Sequence, residues 1–215
     1  MSIHSDYQKT DRYHHGNLQQ AVLDLGLSTL DHVRGQDLSV RHLASQLGVS
    51  DTAIYRYFRN KDSLLVALAV EGFKRLSQAQ IDAFTATLQG GGSPRDGFRA
   101  GGQAYVRFAR AHAELFRLMF NGVATGGGDN AELVRVRREN GALTTEAIRR
   151  LFGGEVDELA LRAYSVGVRS FVHGMSVLWI DGFLDDMARS DEDMEILVNA
   201  AFEGSMLALE KVRKI

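Results

Sequence analysis

A run of basic and hydrogen-bonding side chains lies between residues 41 and 61 of the chain. Its cations are Arg41, Arg56, Arg59 and Lys61. Its candidate hydroxyl donors are Thr52, Tyr55 and Tyr57. Over this interval four basic residues stand against one acidic residue, Asp51. Guanidinium, ammonium and hydroxyl groups donate hydrogen bonds to phosphate oxygens and to base edges. These residue types therefore favour contact with a nucleic acid.

Two short helices, joined by a tight turn, are predicted to position these side chains. Ser39 is an expected N-cap, and the apolar residues after it recur at i, i+3, i+4 and i+7, which is the period of a helix. That helix ends at Gly48, and Ser50 caps a second helix over residues 51–58. Helix, turn and helix form the layout of a helix-turn-helix, whose second helix enters the major groove of DNA.

The second helix is predicted to bury one face and to expose the other. We expect Ile54 and Phe58 to lie inward. The outward-facing side chains are then Asp51, Thr52, Tyr55 and Arg56. Asp51 either accepts a hydrogen bond from a cytosine amino group or stabilises the helix N-terminus, and the second role is favoured. Tyr57 either contacts a phosphate or packs half-buried against the first helix, and Lys61 with the free amides beside it is a predicted phosphate site.

Helical periodicity continues through the rest of the chain. Asn17 and Asn60 are predicted N-caps, and glycine-rich loops are predicted at 90–94 and 126–128. The first predicted helix begins after Asn17. The helices after the helix-turn-helix are predicted over 61–88, 95–111, 113–121, 130–152, 156–183 and 190–212. We find no convincing alternation of apolar and polar residues, the pattern that is typical of a half-buried strand. The sequence therefore predicts an all-α fold with roughly nine helices.

Three parts are predicted along this all-α chain. Residues 1–15 form a flexible polar arm, residues 16–64 a three-helix helix-turn-helix domain, and residues 65–215 a larger helical bundle. His14 and His15 lie in the arm without a third ligand nearby, so no metal site is expected there. The long helix over 61–88 joins the two folded parts and is the expected lever between them.

Composition and missing motifs exclude several classes of protein. The chain is 45% apolar and 24% charged with a net charge of −2, which is typical of a globular protein. It has no cysteine, so disulfides, thiolate metal sites and cysteine nucleophiles are excluded. The polar N-terminus and the lack of a long uncharged apolar run predict a cytoplasmic protein without membrane spans. Because no phosphate loop, nucleophile elbow or metal-binding motif appears, neither catalysis nor a cofactor is expected.

The segment over residues 43–65 reads LASQLGVSDTAIYRYFRNKDSLL. It closely resembles the DNA-binding domain of TetR-type transcriptional regulators, which carry a leucine–alanine helix, Gly-Val-Ser, an aliphatic–Tyr–x–x–Phe segment and a Lys–acid–x–Leu-Leu helix start. The resemblance covers residues 13–70, and the preceding YHHGNL resembles the arm of one branch of this family. The later stretch FVHGM, at residues 171–175, resembles the C-terminal domain of the same branch, whereas residues 90–155 match only in helix order.

The resemblance implies roles for individual residues of the helix-turn-helix. Arg41 matches a family position that reaches a base edge, and Tyr57 and Lys61 match positions that contact phosphates. The positions that match the groove-facing ones are Asp51, Thr52 and Tyr55. The resemblance also implies that the protein binds double-stranded DNA, that the region from about residue 65 senses a ligand and forms a dimer, and that DNA binding represses transcription.

The helix over residues 156–183 is predicted to be apolar on nearly all sides. Its two apolar sides carry Tyr164, Val168, Phe171, Met175 and Trp179 on one, and Val166, Val177, Ile180 and Leu184 on the other. Such a helix needs cover on both sides, and Gly167 and Gly174 allow a close helix crossing. Together with the last helix it is predicted to form a four-helix interface in a homodimer. The alternative is that both are ordinary core helices of a monomer.

An effector pocket is expected among the middle helices. Its candidate wall residues are Phe108, His112, Phe116, Met119, Phe120, His173 and Met175. Aromatic and methionine side chains suit an apolar ligand, although each of these positions is also compatible with a plain core residue. Ligand binding is predicted to favour a dimer whose recognition helices no longer fit successive major grooves, which lie about 34–36 Å apart.

These features together predict a transcriptional regulator of the repressor type. It would bind an inverted-repeat operator as a homodimer and be released by a small, apolar effector. The alternative is a helical ligand-binding or interaction protein with a vestigial helix-turn-helix, which the low net basicity favours. A salt titration on DNA that carries an inverted repeat separates the two, since specific binding falls steeply with salt.

Overall fold

The computed structural model describes residues 18–120, 130–152, 157–188 and 190–212. For Asp191 and for residues 205–212 it describes the backbone alone. The predicted arm over residues 1–15, the Asn17 cap and the glycine loop at 126–128 lie outside the described residues. Within the described ranges every regular element is helical, which confirms the predicted all-α class.

Nine α-helices and one short 3₁₀ turn make up the described part of the chain. The helices are α1 (Leu18–Leu30), α2 (Val40–Gln46), α3 (Asp51–Tyr55), α4 (Lys61–Gln89), α5 (Pro94–Ala111), α6 (Ala113–Phe120), α7 (Ala131–Phe152), α8 (Glu158–Ile180) and α9 (Asp191–Val212). The 3₁₀ turn, Gly35–Asp37, lies between α1 and α2. None of these helices is both long enough and apolar enough to span a bilayer, in the part of the chain that the structure describes.

Local capping signals set the starts of the helices near the predicted DNA contact. The Ser39 hydroxyl accepts a hydrogen bond from the His42 amide at 3.3 Å, and the Ser50 hydroxyl accepts one from the Ala53 amide at 3.2 Å. Asn60 caps α4, accepting from the Ser63 amide at 2.8 Å. These bonds satisfy amides that have no partner inside the helix. The predicted N-caps Ser39, Ser50 and Asn60 are confirmed.

The first three helices pack onto the N-terminal half of α4. Val22 of α1, Leu43 of α2, Ile54 of α3 and both Leu64 and Leu68 of α4 are completely buried in one apolar cluster. Burial of such side chains stabilises the folded state by about 1.5–3 kcal/mol each. This cluster holds the short helices α2 and α3 in place, since neither is long enough to be stable alone.

Helix α4 runs without a break into the second part of the molecule. Its C-terminal half packs chiefly against α5 and α7. The predicted boundary after residue 64 falls inside the first turns of α4, so this helix contributes to both parts. A second apolar cluster, centred on Phe98, Ile148, Leu161, Val168 and Phe202, lies among α5, α7, α8 and α9.

Two predicted helices are shorter than expected. Helix α3 ends at Tyr55 instead of at residue 58, because the chain must turn there to enter α4; the Phe58 amide still donates to the Ile54 carbonyl at 3.1 Å, and Phe58 is buried as predicted. Helix α8 covers Glu158–Ile180 instead of 156–183. The chain leaves the helix direction at Gly182, whose φ of 79° suits glycine, and the Phe183 amide donates back to the Leu178 carbonyl at 2.9 Å.

Candidate nucleic-acid interface and ligand cavity

The turn between α2 and α3 is closed on Gly48. This residue has a φ of 66°, in the left-handed region that glycine adopts without steric cost. Its amide donates to the Ser45 carbonyl at 3.2 Å, and the Val49 amide donates to the Ala44 carbonyl at 3.0 Å. This pair of bonds is a Schellman motif, which ends one helix and sets the direction of the next. The predicted helix stop at Gly48 is confirmed.

Helix α3 is held by one side chain and exposes most of the others. Ile54 is 0% exposed, whereas Tyr55 is 45% exposed. The side chains of Asp51, Thr52 and Arg56 are exposed as well. The outer surface of α3 therefore offers a carboxylate, a hydroxyl, a phenol and a guanidinium to the solvent, as the sequence predicts. These groups can donate to or accept from base edges and phosphates.

The other predicted contact residues surround α3. Arg41 is exposed in the first turn of α2, on the same helix-turn-helix unit. Tyr57 is 45% exposed, so its side chain is accessible to a phosphate, and this exposure is equally compatible with half-buried packing against the first helix. Asp51 occupies the first turn of α3, where a negative charge stabilises the helix dipole. Within the described residues, the guanidinium groups of Arg41 and Arg56 form no ion pair, so they remain available to an anionic partner.

Lys61 and the start of α4 form a second candidate phosphate contact. The Lys61 ammonium donates to the Gln36 carbonyl in the 3₁₀ turn, which holds this cation beside the helix N-terminus. Asn60 and Ser63 form a reciprocal capping box, in which the Asn60 amide donates to the Ser63 hydroxyl at 3.1 Å. The amides of Lys61 and Asp62 have no partner among the described residues. An anion at this position would meet a positive charge and two free amides.

A cavity of about 280 Å³ lies in the helical bundle, remote in sequence from the helix-turn-helix. Its wall is contributed by α4 (Gln80, Ile81, Phe84, Thr85), α5 (Phe98, Gly101, Gly102), α7 (Leu143, Thr144, Glu146, Ala147, Arg150), α8 (Val168, Val172) and α9 (Phe202). Most of these side chains are apolar, and a few polar groups stand among them. Concave apolar sites with a small number of polar groups are typical of small-molecule binding.

The predicted effector-pocket residues do not line this cavity. The set comprises Phe108, His112, Phe116, Met119, Phe120, His173 and Met175, and none of them is in the cavity wall. The reason is that they fill space with one another: the rings of Phe116 and His173 stack at 5.3 Å between centroids, and Phe120 lies 4.5 Å from His173. The void lies instead beside the small residues Gly101 and Gly102 of α5, and a Cβ added at Gly101 would meet only the Gln80 carbonyl within 4 Å.

His173 is a half-buried member of this aromatic cluster. Burial lowers the pKa of its imidazole below the usual value, and the positive charge of Arg169 lowers it further. Its Nδ1 lies 3.1 Å from the Tyr105 hydroxyl, which is buried beside it. Burial also raises the pKa of Tyr105 well above its ordinary value. At neutral pH both groups are therefore uncharged, and their hydrogen bond belongs to the core.

Helix α6 contacts both the helix-turn-helix unit and the end of α8. Nδ1 of His112, the residue that precedes α6, lies 3.2 Å from the Asp31 carboxylate, which follows α1. Leu118 packs against Gly35, where a Cβ would lie only 3.3 Å from the leucine methyl. Arg117 donates to the Asp181 carboxylate at 2.5 Å and to the Ile180 carbonyl at 3.0 Å. Helix α6 thus bridges the end of α8 and the unit that carries α3.

One face of α8 is left open by the described residues. Leu159 is strongly exposed and Val166 is 60% exposed, and Phe183, just after the helix, is strongly exposed as well. A Cβ added at Gly167 or Gly174 would meet no atom within 4 Å, so the helix surface there is open. Exposed apolar residues also occur on α9, at Ile196. An apolar strip of this kind is typical of a protein–protein contact.

Comparison with known families identifies both parts of the molecule. The family model described as bacterial regulatory proteins, tetR family, matches residues 33–68. The model described as the tetracyclin repressor-like C-terminal domain matches residues 98–201. The chain belongs to the TetR family. It is thus a DNA-binding transcriptional regulator with a helix-turn-helix, and members of this family are regulators rather than enzymes.

Solved structures share the fold of this TetR-family regulator over nearly its whole length. A protein with unknown function from Rhodococcus sp. RHA1 is 30% identical with a TM-score of 0.73, and the match covers 91% of this chain and 96% of that one. The TetR-family regulator PfmR from Thermus thermophilus is 22% identical, with a TM-score of 0.58 over 86% of this chain and 96% of its own. A comparison with curated proteins found no match.

One solved relative contains a bound small molecule. A TetR variant from Acinetobacter baumannii AYE, in complex with minocycline, is 16% identical to this chain. Its TM-score is 0.60, and the match covers 91% of this chain and 97% of that one. At 16% identity, this match shows that the two proteins share a fold.

Proposed function

We propose that this TetR-family regulator is a homodimeric repressor that binds an inverted-repeat operator through two copies of α3 and is released by a small molecule in the bundle cavity. The observation that carries the proposal is the outer surface of α3, which is anchored by Ile54 and directs Asp51, Thr52, Tyr55 and Arg56 into the solvent. Arg41 flanks these groups from α2, and Tyr57 and Lys61 flank them from the turn into α4. A surface with these donors and acceptors fits the pattern of base edges in the major groove.

The uncovered face of α8 supports the dimer. A two-fold pair of α8 helices would bury Val166 against its copy, and the open backbone at Gly167 and Gly174 permits a close approach of the two helices. Pairing with α9 then gives a four-helix interface. Two recognition helices related by such an axis match an operator whose half-sites are one helical turn apart.

The position of the cavity supports control by a small molecule. Helix α4 contributes Gln80, Ile81 and Phe84 to the cavity wall and Leu64 and Leu68 to the core beneath the helix-turn-helix. A ligand that displaces the C-terminal half of α4 therefore changes the position of α3. A ligand that binds the mis-spaced dimer more tightly than the DNA-competent dimer would lower operator affinity. The extent of the loss is set by the ratio of the ligand's affinities for these two states.

The proposal is tested by footprinting on the DNA that flanks the protein's own gene, followed by a salt titration on the protected sequence. We expect an inverted repeat to be protected, and the logarithm of the binding constant to fall linearly with the logarithm of salt concentration, with about 0.9 added to the slope for each phosphate contacted. Weak binding with no sequence preference would instead favour a helical ligand-binding protein whose helix-turn-helix is vestigial.

Removing single side chains from the predicted reading surface tests the site assignment. Arg41→Ala and Tyr55→Ala are each expected to weaken operator binding by roughly tenfold, because one base or phosphate contact contributes about 1–3 kcal/mol. Both side chains are exposed, so thermal unfolding should change little. Fluorescence anisotropy with labelled operator measures the affinity.

Arg138→Ala is the matched control for Arg41→Ala. Arg138 is an exposed arginine on α7, outside the helix-turn-helix, and forms no ion pair among the described residues. Its removal should leave operator affinity within twofold. Wild-type affinity in both the Arg41 and Tyr55 variants would overturn the assignment of this surface.

A further inference from the structure

The bundle cavity has a buried floor and an exposed mouth. Phe98, Gly101, Val168, Val172 and Phe202 are the buried wall residues. The exposed wall residues are Ile81, Thr85, Glu146 and Arg150. The floor is thus apolar, and the charged groups of the wall, both on α7, lie at the mouth. A ligand that fits this arrangement has an apolar body and a polar end.

The size of the cavity limits the apolar body. Its volume is about 280 Å³. Since a water-sized group occupies about 30 Å³ in a liquid, the cavity accommodates about nine or ten non-hydrogen atoms. This corresponds to a medium-length hydrocarbon chain or a single substituted ring.

The hydrogen bonds at the mouth distinguish an anionic from a cationic end group. Both Glu146 oxygens are occupied: Oε1 accepts from Arg150 Nε at 2.9 Å, and Oε2 accepts from Arg149 Nη1 at 3.1 Å. These bonds hold the pKa of Glu146 below its usual value, so it is ionised and already neutralised. The Nη1 and Nη2 groups of Arg150, in contrast, have no partner among the described residues. Among the charged groups at the mouth, the unused hydrogen-bonding capacity is therefore that of a donor.

We infer that the effector is a small monocarboxylate with an apolar body of about eight carbons, whose carboxylate binds the terminal nitrogens of Arg150. This inference rests on the proposed role of the cavity as the effector site. A guanidinium presents two parallel N–H donors that match the two oxygens of a carboxylate. A ligand that ends in a neutral amide or in an ammonium group lacks this pair of acceptor oxygens. The apolar floor then accepts the hydrocarbon.

The matched pair octanoate and octanamide tests the inference. Each has eight carbons and two polar heavy atoms, so the two differ in charge and not in size. Isothermal titration calorimetry on the full-length protein is expected to show octanoate binding at least tenfold more tightly than octanamide. Octylamine, the cationic counterpart, should bind more weakly than either.

Two neighbouring arginines provide a variant and its control. Arg150→Gln should remove the preference for octanoate, leaving it within threefold of octanamide. Arg149→Gln removes an adjacent cation that also bonds Glu146 but is not in the cavity wall, and should retain the preference. Thermal unfolding of both variants checks that the exposed substitutions leave the fold intact.

Three results would overturn the inference: no octanoate binding, equal affinity for the charged and neutral compounds, or an undiminished preference in Arg150→Gln. Operator binding by the protein without any added compound is measured in parallel on the footprinted sequence. Intact operator binding combined with any of these three results rejects the carboxylate and leaves the DNA-binding proposal standing. Absent operator binding rejects the regulator proposal whichever compound is bound.

Discussion

Replacing Val166 by glutamate is expected to convert the proposed dimer to a monomer and to lower operator affinity by at least several hundredfold. Val166 is 60% exposed on the open face of α8, beside Gly167. In a two-fold interface the substitution places two carboxylates near the axis, and burying an uncompensated charge costs several kcal/mol per ion. Every 1.4 kcal/mol is about a tenfold change in an equilibrium constant, so a cost of several kcal/mol weakens the dimer by at least several hundredfold.

Sedimentation equilibrium and operator binding by anisotropy measure the two effects on the same Val166→Glu sample. Val134→Glu is the matched control, because Val134 is a valine on α7 that is 37% exposed and lies off the α8–α9 face. It should leave both the mass and the affinity unchanged. A Val166→Glu protein that is still dimeric would show that α8 is not the interface, and a monomeric wild type would overturn the dimer altogether.

Gly101→Leu is expected to abolish ligand binding in the bundle cavity, with a loss of at least a hundredfold. Gly101 is a buried wall residue on α5, and a Cβ there would meet only the Gln80 carbonyl, at an ordinary contact distance of 3.6 Å. The four carbons of leucine would occupy about four-tenths of the cavity, taking about 30 Å³ per group. Leucine also favours the helix over glycine by up to about 1 kcal/mol, so folding should be maintained.

Calorimetric titration with octanoate and with octanamide measures this loss for both the charged and the neutral compound. Gly101→Ala is the control, since a single methyl group in ordinary contact leaves most of the cavity open and should preserve binding. Operator affinity of Gly101→Leu without ligand should stay within a few-fold of wild type. Undiminished binding of either compound to Gly101→Leu would place the ligand site elsewhere in the protein.

The helix-turn-helix could be predicted from the sequence because its signals are local. Ser39, Ser50 and Asn60 each bond an amide three residues away, so a cap can be recognised from neighbouring residues alone. Gly48 ends α2 for an equally local reason, because glycine readily adopts the positive φ that stops a helix. The buried anchor Ile54 follows from the period of the helix. Gly182, which follows α8, is a helix-ending signal of the same kind. The apolar residues after it favoured a longer helix in the sequence prediction.

The bundle cavity could not be predicted from the sequence, because a void is a property of several helices together. Phe116, Phe120 and His173 are the residue types that line many pockets, yet their rings pack against each other and none of the three is in the wall of the bundle cavity. The void lies where α5 carries two consecutive glycines, Gly101 and Gly102. That pair in the interior of an amphipathic helix was the available signal, and only the packing of α4, α7, α8 and α9 around it distinguishes a cavity from a close contact.

The anchoring of α3 by a single fully buried side chain affects how the protein can change over time. With Ile54 retained, nearly every other position of this short helix is open to substitution without disturbing the core beneath. With α3 in its proposed role, target preference can therefore diverge between gene duplicates while stability is preserved. The same separation makes the segment a practical graft site, where a new operator specificity could be installed by exchanging the outward residues of five consecutive positions.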